Sequence, residues 1–193
     1  LKTADLMIVF LRFQNFPKEE MQHFEDYLDT GKPVMGLRTS THAFNGIRGP
    51  HAKYSTGYKG ADYKDGFGEQ VLGETWVGHY GRNHRQSSIL VLDRDQLAHP
   101  ILRGVKDVHT QCGGYKAFPL EGSVTLARGR ILNGMKADAE PDKSKKEMPV
   151  AWTRSYKGSK SGKEGRVFTT TQGASEDIIN DGFRRMMVNA ALW

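Results

Sequence analysis

The sequence contains one cysteine, Cys112, among 193 residues. A single thiol excludes an internal disulfide framework and a cysteine-built zinc module. It does not indicate a compartment, because exported proteins also occur without disulfides. No apolar run approaches the ~18 residues that a membrane-crossing helix needs. The longest candidate, residues 6–13, is short and broken by Arg12. There is no internal repeat. The chain also lacks an initiating methionine, and residue 1 is a leucine that leads almost directly into a strand. That is the expectation for a processed or truncated chain. A signal peptide would lie upstream of Leu1, so the compartment stays open.

What is present suits one folded domain over residues 1–193. Hydrophobic residues make up 37% and aromatics 10%, which separates the chain from disordered tails. The net charge is +6. Residues 136–166 hold nine basic and five acidic side chains, together with Pro141, Pro149, Gly158, Gly162 and Gly165. Such a segment reads as a solvated loop rather than a polyanion site. Phosphate tracking wants basic residues on a fixed face with aromatic platforms. Nucleic acid is therefore not the expected partner; a homo-oligomer is compatible with the composition.

Residues 6–11 form a continuous apolar run of strand length, as in parallel strands covered on both faces. Pro17 opens a predicted helix with Glu19 and Glu20 in its first turn. Met21, Phe24 and Leu28 supply its apolar stripe, and Gly31 ends it. Residues 34–37 give the next strand, completing a β–α–β unit. Residues 46–87 carry nine glycines and six aromatics with no sustained period, a length of irregular chain that usually has a function. Further strands are predicted at 88–93, 124–126, 130–132, 150–153 and 165–171. A closing helix is predicted at 177–193. Alternating strands and helices indicate an α/β class with an open, mostly parallel sheet. Ligands in such sheets sit beyond the carboxyl ends of the strands, so the turn after Leu37 is the first place to search.

Gly36-Leu-Arg-Thr-Ser-Thr-His follows a short apolar strand directly. A glycine two residues before a sharp strand-to-helix turn matches a nucleophile elbow. The elbow residue is Arg38, which stays protonated and is no nucleophile. It can bind an anion or stabilise an oxyanion. Thr39, Ser40 and Thr41 offer hydroxyl groups and backbone donors, and His42 offers an acid or base. The competing reading is a structural salt bridge at Arg38 and a packed or capping His42.

These blocks resemble the ThuA-like (trehalose utilisation) family, within the class I glutamine amidotransferase-like superfamily. The resemblance is carried by Asp5-Leu-Met-Ile-Val, by Tyr27-Leu-Asp-Thr-Gly-Lys-Pro-Val-Met-Gly-Leu-Arg-Thr-Ser-Thr-His-Ala-Phe and by Gly78-His-Tyr-Gly-Arg-Asn-His. It continues through His99-Pro-Ile-Leu-Arg-Gly-Val, Met148-Pro-Val-Ala-Trp and Gly165-Arg-Val-Phe-Thr-Thr-Thr-Gln-Gly-Ala-Ser-Glu-Asp. It implies a three-layer, flavodoxin-like sheet with helices on both faces. It also implies that the family's N-terminal strand and loop are absent from this chain. The amidotransferase cysteine is replaced by Arg38, and the His of the late His-Pro-Glu block aligns with Ala174. Cys112 has no elbow context. Cys–His amide hydrolysis is therefore excluded.

The loop holding His79, Tyr80, Asn83 and His84 admits three readings. As a metal pair, His79 and His84 lack the third and fourth ligands that zinc wants, so no cofactor is expected and a divalent metal is the weaker case. As a sugar site, Trp76 and Tyr80 can stack on sugar faces while Arg82, Asn83 and His84 hydrogen-bond. As plain packing, the loop is an aromatic surface turn. Gln172 and Glu176 follow the last strand; Glu176 either orients His42, acts as a base, or caps the closing helix. The resulting expectation is a protein that binds and transforms a sugar or keto-sugar. His42 or His84 would act as base and Arg38 would stabilise the oxyanion. A non-catalytic ligand-binding or scaffold domain is the alternative.

Overall fold

The computed structural model describes all 193 residues. Seven strands form one mixed sheet: β1 (Met7–Val9), β2 (Val34–Leu37), β3 (Ser88–Leu92), β4 (His109–Thr110), β5 (Val124–Ile131), β6 (Met148–Lys157) and β7 (Glu164–Thr170). Their order is β1-β2-β7-β6-β5-β3-β4. Two α-helices accompany them, α1 (Lys18–Asp29) and α2 (Asp181–Leu192). The architecture is mixed α/β, and it corrects the expectation of a mostly parallel sheet. β1 and β2 pair in parallel, as the β–α–β reading requires. β3 is antiparallel to both β4 and β5. β6 and β7 also run antiparallel, since Gly158 N–H donates to Lys163 O and Thr171 N–H to Val150 O in one hairpin register. The physical reason is connection length. Residues 158–163 are too few for a crossover, which takes a dozen residues or more, so only a hairpin can join β6 to β7.

The chain divides into two compact units. The first comprises Leu1–Trp76, Pro119–Ser123 and Thr153–Thr169. Its core gathers Met7 and Val9 of β1, Met21, Phe24 and Leu28 of α1, and Val34 of β2 with Phe44, Phe67 and Leu72. Phe24 meets Phe44, Tyr54 and Phe67 edge to face at centroid distances of 4.8, 5.4 and 5.1 Å. Edge-to-face contact suits ring quadrupoles and adds to the area buried. Much of the irregular glycine-rich stretch is thus core, anchored by its aromatic residues. Strand β1 is shorter than its apolar run, and the run is not covered on both faces as expected, since Ile8 and Phe10 are exposed.

The second unit comprises Val77–Phe118, Val124–Trp152 and Thr170–Trp193. The two strands expected at 124–126 and 130–132 are joined in one, β5, which runs through Val124–Ile131. The closing helix starts at Asp181, four residues later than its apolar pattern suggests. Ser175–Ile179 form a separate 3-10 turn. The side chain of Asn180 caps α2 by accepting the Phe183 N–H at 2.9 Å. Asn189 donates to Ile101 O and Arg103 O, fixing α2 against the Pro100–Leu102 turn.

Four tyrosines of the first unit record how dry its core is. Burial raises the phenol of Tyr27 to about 12 and those of Tyr54, Tyr63 and Tyr156 further. A raised folded value means that the fold holds the neutral phenol. This contribution to stability is complete below the ordinary value of about 10 and is lost as pH rises through the folded values. In an alkaline titration followed by tyrosinate absorbance, these four should ionise late, in step with unfolding. Ionisation of all seven tyrosines near the ordinary value with the fold intact would contradict this packing.

Candidate functional site

In the first unit, β2 ends at Leu37 and the chain turns at once into the 3-10 turn Arg38–His42. Arg38 takes φ +43°, a left-handed conformation that a side chain with a Cβ rarely adopts. Gly36 makes the turn possible. A Cβ there would lie 2.7 Å from one Leu72 methyl and 3.0 Å from Ser40 Oγ. A sharp strand-to-turn corner therefore follows β2, and Arg38 stands on it. Thr39 beside it is half-buried, while Thr41 is fully buried.

His42 is only 3% exposed. Its Nδ1 lies 3.4 Å from Thr41 Oγ1. Its ring sits between Phe13 and Trp76, at centroid distances of 4.8 and 5.0 Å. Phe13 has φ +49° and its N–H donates to His42 O at 2.9 Å, so the strained residue is tied to the turn it flanks. The Trp76 N–H donates to Thr41 O. Sequence reasoning found His42 and Trp76 but missed Phe13. The only sequence signal for Phe13 is its place at the end of the first apolar run.

In the second unit, the loop after Trp76 is zipped to residues 113–116. Tyr80 and Gly81 N–H donate to Gly114 O and Gly113 O, and Lys116 N–H donates to Gly78 O. His79 is exposed and meets Tyr115 edge to face at 5.5 Å. Tyr80 is not an open stacking platform. Its hydroxyl donates to Lys146 O at 2.7 Å, and Lys145 Nζ lies 4.9 Å above its ring. Asn83 and His84 stand exposed at the loop's tip, His84 with φ +59°. No group of three or more His, Cys, Asp or Glu side chains converges as a metal site needs.

Gln172 is buried inside a polar network. Its Nε2 donates to Ser88 Oγ at 2.9 Å, and its Oε1 accepts from the Cys112 thiol. Ser88 Oγ in turn donates to Cys112 O and contacts Thr110 Oγ1. Both ends of the amide are committed, so Gln172 holds strands together rather than facing a ligand. The carboxylate that organises this end is Asp177, 1% exposed. It accepts the N–H groups of Gln111, Gly173 and Ala174 at 2.6, 2.8 and 2.8 Å, and also the Cys112 thiol. Burial pushes the nearby His109 imidazole toward its neutral form, partly opposed by Asp177. Glu176, the residue singled out from sequence, is exposed and accepts from Ser175 Oγ. It does not cap α2, a role Asn180 fills. Sequence reasoning missed Asp177 because adjacent carboxylates differ here only in which one the turn tucks inward.

The ThuA family profile, described as trehalose utilisation, matches residues 1–193. The chain belongs to the ThuA family. A comparison with curated proteins returned no match. Among solved structures, a ThuA-like protein from Bacteroides uniformis aligns with a TM-score of 0.60 at 15% identity, over 99% of this chain and 69% of that one. A ThuA-like protein from Parabacteroides merdae gives 0.59 at 15% identity, over 100% of this chain and 70% of that one. The cytoplasmic protein STM3548 from Salmonella typhimurium gives 0.51 at 11% identity, covering 97% and 70%. These likenesses establish the fold.

The two carboxylates are separable by mutation. Asp177→Asn should cost about 1.5–3 kcal/mol, the scale of hydrogen bonds to a charged acceptor. Glu176→Gln should stay within about 0.5 kcal/mol, as for an exposed residue. Urea unfolding of both variants checks the assignment, and a larger loss for Glu176→Gln would reverse it.

Proposed function

We propose that this ThuA protein binds a sugar or keto-sugar at the elbow that follows β2 and moves a proton next to its carbonyl. The observation that carries the reading is Arg38, held at φ +43° on the strand-to-turn corner after β2. Strained backbone persists where the surroundings over-determine it, and such positions cluster at ligand clamps and active sites. A permanent cation at that corner suits an oxygen that gains negative charge. Phe13, 39% exposed, and half-buried Trp76 supply apolar ring faces of the kind that pack on sugars. The family's description, trehalose utilisation, supports a carbohydrate.

In this reading His42 takes the proton from the hydroxyl-bearing carbon beside the keto group. The C–H pair becomes the new carbon–carbon double bond, the carbonyl pair moves onto oxygen, and Arg38 stabilises that enediolate oxygen. The neighbouring hydroxyl proton passes to this oxygen, and His42 returns the carbon proton to the former carbonyl carbon, which gives the isomer. Glutaminase chemistry has no place in it, because no cysteine occupies the elbow. His84, the other candidate base, lies on the exposed loop tip and is not needed here.

One observation favours a binding-only alternative: His42 is enclosed by Thr41, Phe13 and Trp76, so a substrate must displace a ring to reach it.

Calorimetry with a panel of keto-sugars, paired with solvent deuterium exchange followed by NMR, tests both readings. Arg38→Met should weaken binding about tenfold to a hundredfold, or roughly 1.4–2.8 kcal/mol. His42→Gln should keep binding and lose exchange. Wild-type binding without exchange would leave only the binding reading, and affinity unchanged in Arg38→Met would remove the elbow from both.

A further inference from the structure

The basic segment at 136–166, which reads from sequence as a solvated loop, is largely ordered: it contains β6 and the start of β7, and its residues 142–146 are fastened within the second unit. Ser87 N–H and Oγ both donate to Gly134 O, at 2.9 and 2.8 Å. Gln86 Nε2 donates to Asp142 Oδ2 at 2.9 Å. Lys145 Nζ donates to Tyr80 O at 2.9 Å, and the Tyr80 hydroxyl donates to Lys146 O. Tyr80 and Gln86, the two flanks of the loop tip, are thus both fastened to residues 142–146. On its other side the loop is zipped to residues 113–116. Gly81 and Gly113 approach so closely that a Cβ on Gly81 would lie 2.7 Å from the Gly113 Cα.

Between those fastened flanks stand Arg82, Asn83, His84 and Arg85, four consecutive exposed polar residues. The tip is a closed turn. Arg85 N–H and Gln86 N–H both donate to Arg82 O, and Arg82 N–H donates to Gln86 Oε1. His84 occupies the third position of that turn with φ +59°, where glycine or asparagine would be unstrained. A closed turn that holds two guanidinium groups in solvent suits a recognition loop, since little backbone freedom remains to be lost on binding. Exposed Lys143 and Lys146 extend the same sign of charge. Two acids of residues 142–147 are engaged. Hydrogen bonds from Ser144 and Gln86 hold the Asp142 carboxyl below its ordinary range, and Glu147 accepts from Arg130 at 2.6 Å.

We propose that the Arg82–Arg85 turn, flanked by Lys143 and Lys146, is a binding surface for an acidic polysaccharide, a polymer of carboxylated sugar rings. Guanidinium forks match carboxylates in two-point geometry. Nucleic acid fits less well. Single strands want aromatic platforms, and the one nearby ring, Tyr80, is already covered by Lys145. This surface is independent of the elbow site and of the reaction there.

The full chain is titrated with polygalacturonate, with neutral dextran and with an oligothymidylate, at low and at moderate salt. Polygalacturonate should bind, and salt should weaken it by screening. Arg82→Ser/Arg85→Ser should weaken it about tenfold or more. The exposed pair Arg48→Ser/Lys59→Ser in the first unit removes equal charge and should change it about twofold or less. Thermal melts confirm that both variants fold, as substitutions at exposed positions should allow. Several results would each overturn the assignment: no binding at low salt, equal binding of dextran, equal losses in the two variants, or tighter binding of the oligothymidylate.

Discussion

The first unit depends on a close approach at Gly36. Because that residue has no side chain, the Leu72 methyls can press against the end of β2 and the Ser40 hydroxyl can fold back beside it. The chain can then leave the strand at Arg38 in a left-handed conformation and coil tightly through His42. Everything placed around the elbow follows from that exit. The Arg38–His42 turn hands its backbone to two neighbours: Thr41 O accepts from Trp76, and His42 O accepts from Phe13. Two aromatic rings thereby close on the imidazole. Gly68 secures the same arrangement from the far side, where a Cβ would collide with Thr41 O. The irregular stretch can stay compact because glycines let it come near the turn and aromatics then anchor it.

The second unit uses a different device to hold its loops. A buried carboxylate, Asp177, gathers three backbone N–H groups and a thiol, and a buried amide, Gln172, spans from Cys112 to Ser88. Buried polar groups cost free energy unless partnered, and here both ends of each are used. The network fixes residues 111–114, which fix the loop at Gly78–Gly81, which carries the exposed tip. The order of that tip is therefore inherited from a buried polar network far away in sequence.

The parts of this fold that were legible in the sequence are those with local causes. Helix α1 follows from Pro17, the acidic first turn and the Met21/Phe24/Leu28 spacing. The elbow follows from Gly36 and the strand before it, and the family follows from long ordered blocks. The direction of the later strands was misread because a continuous apolar run looks the same in parallel and antiparallel sheets. Loop length carried the missing information: residues 158–163 cannot make a crossover. Gln172 and Glu176 were chosen for chemical type and position after a strand. Whether each faces inward was decided by a 3-10 turn and an Asn180 cap that no periodicity marks. Phe13 and Asp177 escaped for the same reason, since their roles arise from tertiary contacts alone.

The division of the chain has a further consequence. Each compact unit is assembled from three separated stretches of sequence, and strand β6 begins in one unit at Met148 and ends in the other at Lys157. No single cut can release either unit whole. A gene fusion, duplication or truncation that respects one unit must sever the other.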